Sequence, residues 1–215
     1  MGDEVGVGVN DSSAFTDDEN WTGGFYELAV ELGDRDDHRL DAAISAAWAD
    51  PWLTGPFAAR DHEASAQERV APSLATQETT GHLRGLAQLP TGPATVCGSV
   101  IIREERGTDW FDFYLPVGAL ARADSRVGAY PFGAMMTVGD QMATTDSLVW
   151  RGPIDRWLAT MAKRIFEVAP FRLGLIGWEM SGTTSAAEID AVPEERYMTY
   201  LVPEDHGLAI YEATI

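Results

Sequence analysis

Lysine is nearly missing from this chain. Lys163 stands alone beside 14 arginines, against 34 aspartates and glutamates, and the formal net charge is -19. Binding along a phosphate backbone needs clustered cations that release counterions. The densest basic run here is Lys163-Arg164, so composition disfavours nucleic acid and, for the same reason, anionic membrane surfaces. Cysteine is as scarce: Cys97 is the only one, so no intrachain disulfide can form and a reducing compartment is expected. No basic-then-apolar leader opens the sequence, and no uncharged apolar run approaches the ~20 residues that span a bilayer. These absences together point to a cytoplasmic protein. Arginine in place of lysine fits a GC-rich, bacterial coding bias, and a salty cell interior would favour the same acidity.

Apolar material is plentiful. Hydrophobic residues make up 45% of the 215, with seven Trp, six Tyr and eight Phe among them, enough for a packed core despite the charge. Residues 1–20 hold Asp3, Glu4, Asp11, Asp17, Asp18 and Glu19 and no base, which predicts a disordered acidic tail. A single domain is expected over 21–215, with 21–125 and 146–215 as its two halves.

Tyr26, Leu28, Val30 and Leu32 alternate with Phe25, Glu27, Ala29 and Glu31, the pattern of a half-buried strand. Asp36 or Asp37 can cap a helix to about Ala49, ended by Pro51. Residues 50–80 read as irregular, with one short helix near Ala64–Val70. Strands are expected at 82–89, 94–104 and 110–115, one helical turn at 116–122, and a long loop over 127–145 holding Met135, Met136 and Met142 beside Tyr130 and Phe132. A helix over 153–168 follows, with Pro153 in its first position and Ile154, Trp157, Leu158, Met161, Ile165 and Val168 as its apolar stripe. A strand at 171–180 and a terminal hairpin, 196–202 with 208–213, complete the chain. Helix followed by three strands thus occurs twice. The fold class is α+β: a mainly antiparallel, curved sheet of seven or eight strands with two main helices, built as a pseudo-duplicated helix-plus-three-strand unit.

The motifs with chemical meaning fail on inspection. Gly177 to Thr184 imitates a phosphate loop but has Thr183 where the lysine belongs, and no long helix can follow before Pro193. Gly6-Val7-Gly8 has no strand before it, so a dinucleotide fingerprint fails as well. Asp18-x-Asn20-x-Thr22-Gly23 opens like a calcium loop, but Ala29 stands where the bidentate Glu is required. His38, His62, His82 and His206 sit at expected turns, none with the spacing of a helical zinc site. Cys97 has no base beside it and reads as a small buried residue. No metal or cofactor is expected.

Two carboxylates are better candidates. Asp112 lies between Trp110 and Tyr114 on one strand face. Glu179 is expected to share a face with Phe171, Leu173, Leu175 and Gly177, pointing toward the core beside Trp178. A buried carboxylate requires a partner or a ligand; for Glu179 the structural alternative is an ion pair with Arg172 or Arg151, and Asp112 could equally mark a solvent face. The functional reading is non-enzymatic: a small ligand, cationic or hydroxyl-rich, held in an aromatic and acidic pocket by Glu179, Asp112, Trp110, Tyr114 and Trp178. The second reading is an interaction module of the inhibitor or immunity type, whose acidic face docks on a basic protein. Acid–base hydrolysis by Glu179 and Asp112 has no supporting spacing.

Overall fold

The computed structural model describes residues 11–104, 107–127, 142–205 and 207–215. Tyr130, Phe132, Met135, Met136 and His206 lie outside them. Among the described residues, eight strands form one open antiparallel sheet in the order β2-β3-β4-β5-β1-β6-β7-β8. The strands are β1 (Phe25–Asp34), β2 (Leu53–Phe57), β3 (His82–Gln88), β4 (Ala94–Arg103), β5 (Thr108–Pro116), β6 (Leu173–Trp178), β7 (Thr199–Glu204) and β8 (Gly207–Tyr211). Four α-helices accompany them: α1 (Asp37–Trp48), α2 (Leu74–Thr80), α3 (Val117–Ala123) and α4 (Met142–Val168). The class is α+β with a curved sheet. Two meanders, β2 to β5 and β6 to β8, flank β1, whose residues are buried on both faces almost from end to end.

α1, α2 and α4 cover one face, while α3 sits at the sheet's end with Val117 and Leu120 in that core and Ala119 against Val96 on the other. Tyr26, Leu28, Val30 and Leu32 of β1 join Phe111, Phe113 and Leu115 of β5 in a core closed by Leu40 and Ile44 of α1 and by Leu158, Met161 and Ile165 of α4. Phe113 lies edge-on between Trp48 and Trp157, with centroids 5.9 Å from each. Each such side chain contributes about 1.5–3 kcal/mol of burial. Asp36 caps α1, its carboxylate accepting the N–H groups of His38 and Arg39, and Cys97 is buried within this core.

Three elements depart from the expected pattern. β2 and α2 occupy the stretch expected to be irregular. Pro56 and a short edge position hide β2 from any alternation, and α2 starts at a Ser73 cap just after Pro72. The helix expected to begin at Pro153 begins at Met142, with Pro153 inside it. Losing the bond to the Val149 carbonyl is tolerated because tertiary contacts hold the preceding turn. There Trp150 packs on Tyr26 at 5.6 Å, and buried Arg151 donates to the carbonyls of Tyr197 and Ile215 at 2.7 and 2.8 Å.

The stretch 11–20, expected as part of a tail, packs on the helix-free face. Ser12 bonds β4 through the Val96 N–H and the Ala94 carbonyl. Asn20, completely buried, donates to the carbonyls of Asp11 and Ala14. Phe15 is 1% exposed and stands edge-on to Trp21 and Phe57 at 5.6 and 5.7 Å. Truncating it should therefore cost about 3–5 kcal/mol. Urea unfolding of Phe15→Ala measures this, and a loss below about 0.5 kcal/mol, the range of surface changes, would mean that the segment does not stabilise the domain.

Candidate functional site

The face of the sheet without helices carries Glu27, Ala29 and Glu31 of β1, Trp110, Asp112 and Tyr114 of β5, and Leu173 and Leu175 of β6, in antiparallel register with Asp112 opposite Ala29 and Tyr114 opposite Glu27. Residues 179–198, irregular throughout, cover it: Met180, Ala186, Ile189 and Val192 pack on Ala29, Trp110, Leu173, Leu175 and Tyr200. A loop buried this way brings N–H groups that have no ladder partner. The carboxylates beneath accept them. Glu27 Oε1 takes Met180 N at 2.6 Å and Ser181 N at 2.9 Å, and Glu31 Oε2 takes Ala186 N at 2.6 Å.

Three of the five residues singled out from the sequence meet on this face. Trp110, Asp112 and Tyr114 are buried together. The Tyr114 ring lies across Gly98, where a Cβ would come within 2.5 Å of it. It stacks on Phe25 at 4.0 Å, and its hydroxyl lies 2.9 Å from His82 Nδ1. His82 is thus half-buried at the start of β3 rather than in a turn, and burial lowers its pKa. The other two residues go elsewhere. Trp178 packs toward the helix-side core. Glu179 is exposed and follows the end of β6 with φ +50, a left-handed residue that breaks the strand alternation on which the core-facing expectation rested. Its carboxylate accepts Phe25 N at 2.8 Å. Neither suggested arginine pairs with it: Arg172 bonds Asp34, and Arg151 holds the carbonyls already named.

Glu27 and Glu31 were missed because glutamates alternating along a strand read as a solvent face. Glu27 and Asp112 are 2% and 1% exposed and share one buried space. Burial, with the charge of Glu179 adding to it, raises Glu27 to about 7 against the two N–H bonds that lower it. Burial and then the charge of Glu27 push Asp112 well above the usual carboxylate range. Asp112 Oδ1 has no hydrogen-bond partner among the described residues.

A second acidic centre lies on the helix side. Asp155 of α4 is buried. The Tyr26 hydroxyl donates to its Oδ1, and Thr199 Oγ1 to its Oδ2 at 3.4 Å. Burial raises its pKa to about 6 against the Tyr26 bond and the nearby Arg151 charge. It lines a cavity of about 260 Å³ between α4 and the β7–β8 hairpin, with Arg156, Lys163, Thr199 and Glu212 around it. A neighbouring cavity of about 150 Å³ shares Asp155, Arg156 and Glu212. Sequence periodicity assigned Asp155 only to the first turn of a helix; it lies inside α4, bonded by Tyr26 of β1 and Thr199 of β7.

Among the described residues no group of three or more His, Cys, Asp or Glu could hold a metal ion, and no helix is long and apolar enough to cross a membrane. The look-alike phosphate loop is the end of β6 and a series of turns, with no helix after it. Comparison with protein-family models, curated proteins and solved structures found no match.

The Glu27 carboxyl has a pH signature. A folded pKa raised above its unfolded value contributes stability that is complete below about pH 4.5 and is lost as pH rises through about 7. Glu27→Gln keeps an acceptor for Met180 and Ser181 and offers its amide to Asp112. Its loss of unfolding free energy between pH 5 and pH 8 should be smaller than that of the wild type, by on the order of 2 kcal/mol. Denaturant titrations at the two pH values measure the difference, and parallel losses would remove Glu27 from the account.

Proposed function

We propose that the protein binds a small polar molecule without chemical conversion, and that the cleft floored by Asp155 receives it. The observation that carries this is a nearly fully buried carboxyl, fixed by Tyr26 and Thr199, that opens on a cavity of about 260 Å³. Perturbed carboxyls in concave sites mark binding positions. Compared with the pocket expected from sequence, the site has moved: Asp112 lies under the 179–198 loop, whereas Asp155 faces accessible space. Asp155, Arg156 and Lys163 line it from α4, and Thr199 and Glu212 from the hairpin side; neither Arg156 nor Lys163 forms an ion pair among the described residues. The matching ligand has an anionic group for the cations and a hydroxyl or ammonium donor for the carboxylates, the chemistry of a small hydroxy acid or amino acid.

The alternative, docking on a basic protein, draws on a different observation. Glu188, Asp190, Glu194 and Glu195 are exposed in the covering loop, as are Tyr197, at 68%, and Glu204 and Asp205 at the β7–β8 turn. Arg196, the base among them, has its guanidinium bonded to the carbonyls of Pro193, Glu194 and Glu212. Such a surface speeds association with a cationic partner in a salt-dependent way.

A panel of small hydroxy acids and amino acids, titrated into isotope-labelled protein, separates the two readings. A member of the panel should shift the backbone signals of Ala159 and Thr199. Asp155→Asn and, as a surface change that leaves the fold intact, Lys163→Gln should each weaken it about tenfold or more, the weight of a charged hydrogen bond. Binding indifferent to both substitutions would overturn the cleft assignment and leave the acidic surface as the better reading.

A further inference from the structure

The outer face of α4 carries Arg156, Lys163 and Arg164, the densest positive charge in a chain of net -19. Arg164 is held by buried Asp50, while Arg156 and Lys163 form no ion pair among the described residues. Arg156 and Thr160 line not only the Asp155 cleft but also a second cavity of about 320 Å³, on the neighbouring stripe of the helix. Pro153, Trp157 and Arg164 belong to that stripe, and Trp52, Pro51 and Pro90 form the opposite wall.

This second cavity is apolar, and the backbone beside it is fixed. Trp52 N donates to Asp50 Oδ1 at 2.8 Å, and its carbonyl accepts Gln88 N at 2.8 Å. Asp50 Oδ2 also accepts Trp157 Nε1 at 3.1 Å. The same carboxylate therefore fixes both tryptophans, and three prolines stiffen the rim. Yet the Trp52 side chain is left 44% exposed. An indole on a pinned frame is a preformed surface that loses little entropy when covered.

Charge selects the occupant. Asp50, which also lines the cavity, offsets Arg164, so the uncompensated charge that a cation would meet is that of Arg156. A neutral apolar group would cover Arg156 without a counter-charge, which is costly. An acid with an apolar tail satisfies both requirements. We propose that the Trp52–Trp157–proline cavity is an apolar subsite continuous with the Asp155 cleft, so that the ligand is an amphipathic organic acid. Its anionic head meets Arg156 and Lys163, and a single ring or short alkyl chain lies on Trp52. This inference rests on the cleft being the binding site, and it narrows the ligand class.

The test titrates the full chain with acetate, butyrate, hexanoate and 3-phenylpropanoate, following the indole N–H signals and the amides of Thr160 and Thr199. Affinity should rise about three- to fourfold per added methylene, as burial of a CH₂ predicts, and phenylpropanoate should move the Trp52 indole signal. Trp52→Ala should remove the gain with chain length and leave acetate unchanged, while Trp52→Phe should retain most of it. Affinity that does not rise with length, or a rise that survives Trp52→Ala, overturns the subsite. The cleft would then still stand if the acids move Thr199. Should none of them move Thr160 or Thr199, the subsite falls, while the cleft assignment is decided separately by the hydroxy-acid and amino-acid panel.

Discussion

A sheet covered by helices on one side and by loop on the other must find acceptors for the loop's amide groups, and the rest of this structure depends on how Glu27 and Glu31 provide them. The 179–198 segment has no strand of its own, yet it buries Trp110, Leu173 and Leu175. Water cannot reach the N–H groups of Met180, Ser181 and Ala186 from below. Without the two carboxylates, each would be a buried orphan costing about 1–3 kcal/mol. Gly177 completes the arrangement: a Cβ there would stand 2.8 Å from Met180 Sδ, so a larger residue would displace the side chain that covers β6. The central strand thus serves both layers. Its Tyr26, Leu28, Val30 and Leu32 face the helices; its glutamates hold down the loop.

Most of the element pattern was legible in the chain because helices and strands with one apolar face advertise their period. β1, α1, β3, β4 and β5 follow from alternation, caps and turn residues. The second layer was not legible, for a physical reason. Irregular backbone has no period, so nothing in residues 11–20 or 179–198 announces that they pack on a sheet. Two consequences follow. Phe15 sits in an acidic stretch that looks like tail, yet it is buried; Glu27 and Glu31 look solvated, yet they lie beneath a loop. Asp112 could be found from its position between Trp110 and Tyr114. Glu179 could not be placed, because one left-handed residue at the end of β6 turns it outward, and local propensity does not foresee φ +50 in a glutamate.

Charge is distributed with the same division. Carboxylates dominate the surface and favour solubility, while the few bases are spent on specific anchoring. Arg151 fixes the carboxy-terminal carbonyl and the approach to β7, Arg122 ties Asn20 and Asp17 to α3, and Arg103 joins Asp37, Glu78 and Asp109. Arg156 and Lys163, like Arg35 and Arg69, form no ion pair among the described residues, but these two share one helix and border the Asp155 cleft. Ion pairs at a surface contribute little to stability, so leaving Arg156 and Lys163 unpaired costs the fold almost nothing.

The buried carboxyls differ in what surrounds them, and that difference separates structure from function. Glu27 and Asp112 raise one another's pKa inside a sealed layer, where the gain is loop anchoring and the cost is a proton retained near neutrality. Asp155 is buried as deeply but is bonded by Tyr26 and Thr199, lies near Arg151, and borders open space. On the proposed reading, a ligand's donor would reach this carboxyl without opening the core. Tyr26 and Glu27, adjacent on β1 and pointing to opposite faces, belong one to each system. A single strand therefore positions the acid that anchors the loop and the hydroxyl that orients Asp155 toward the cleft.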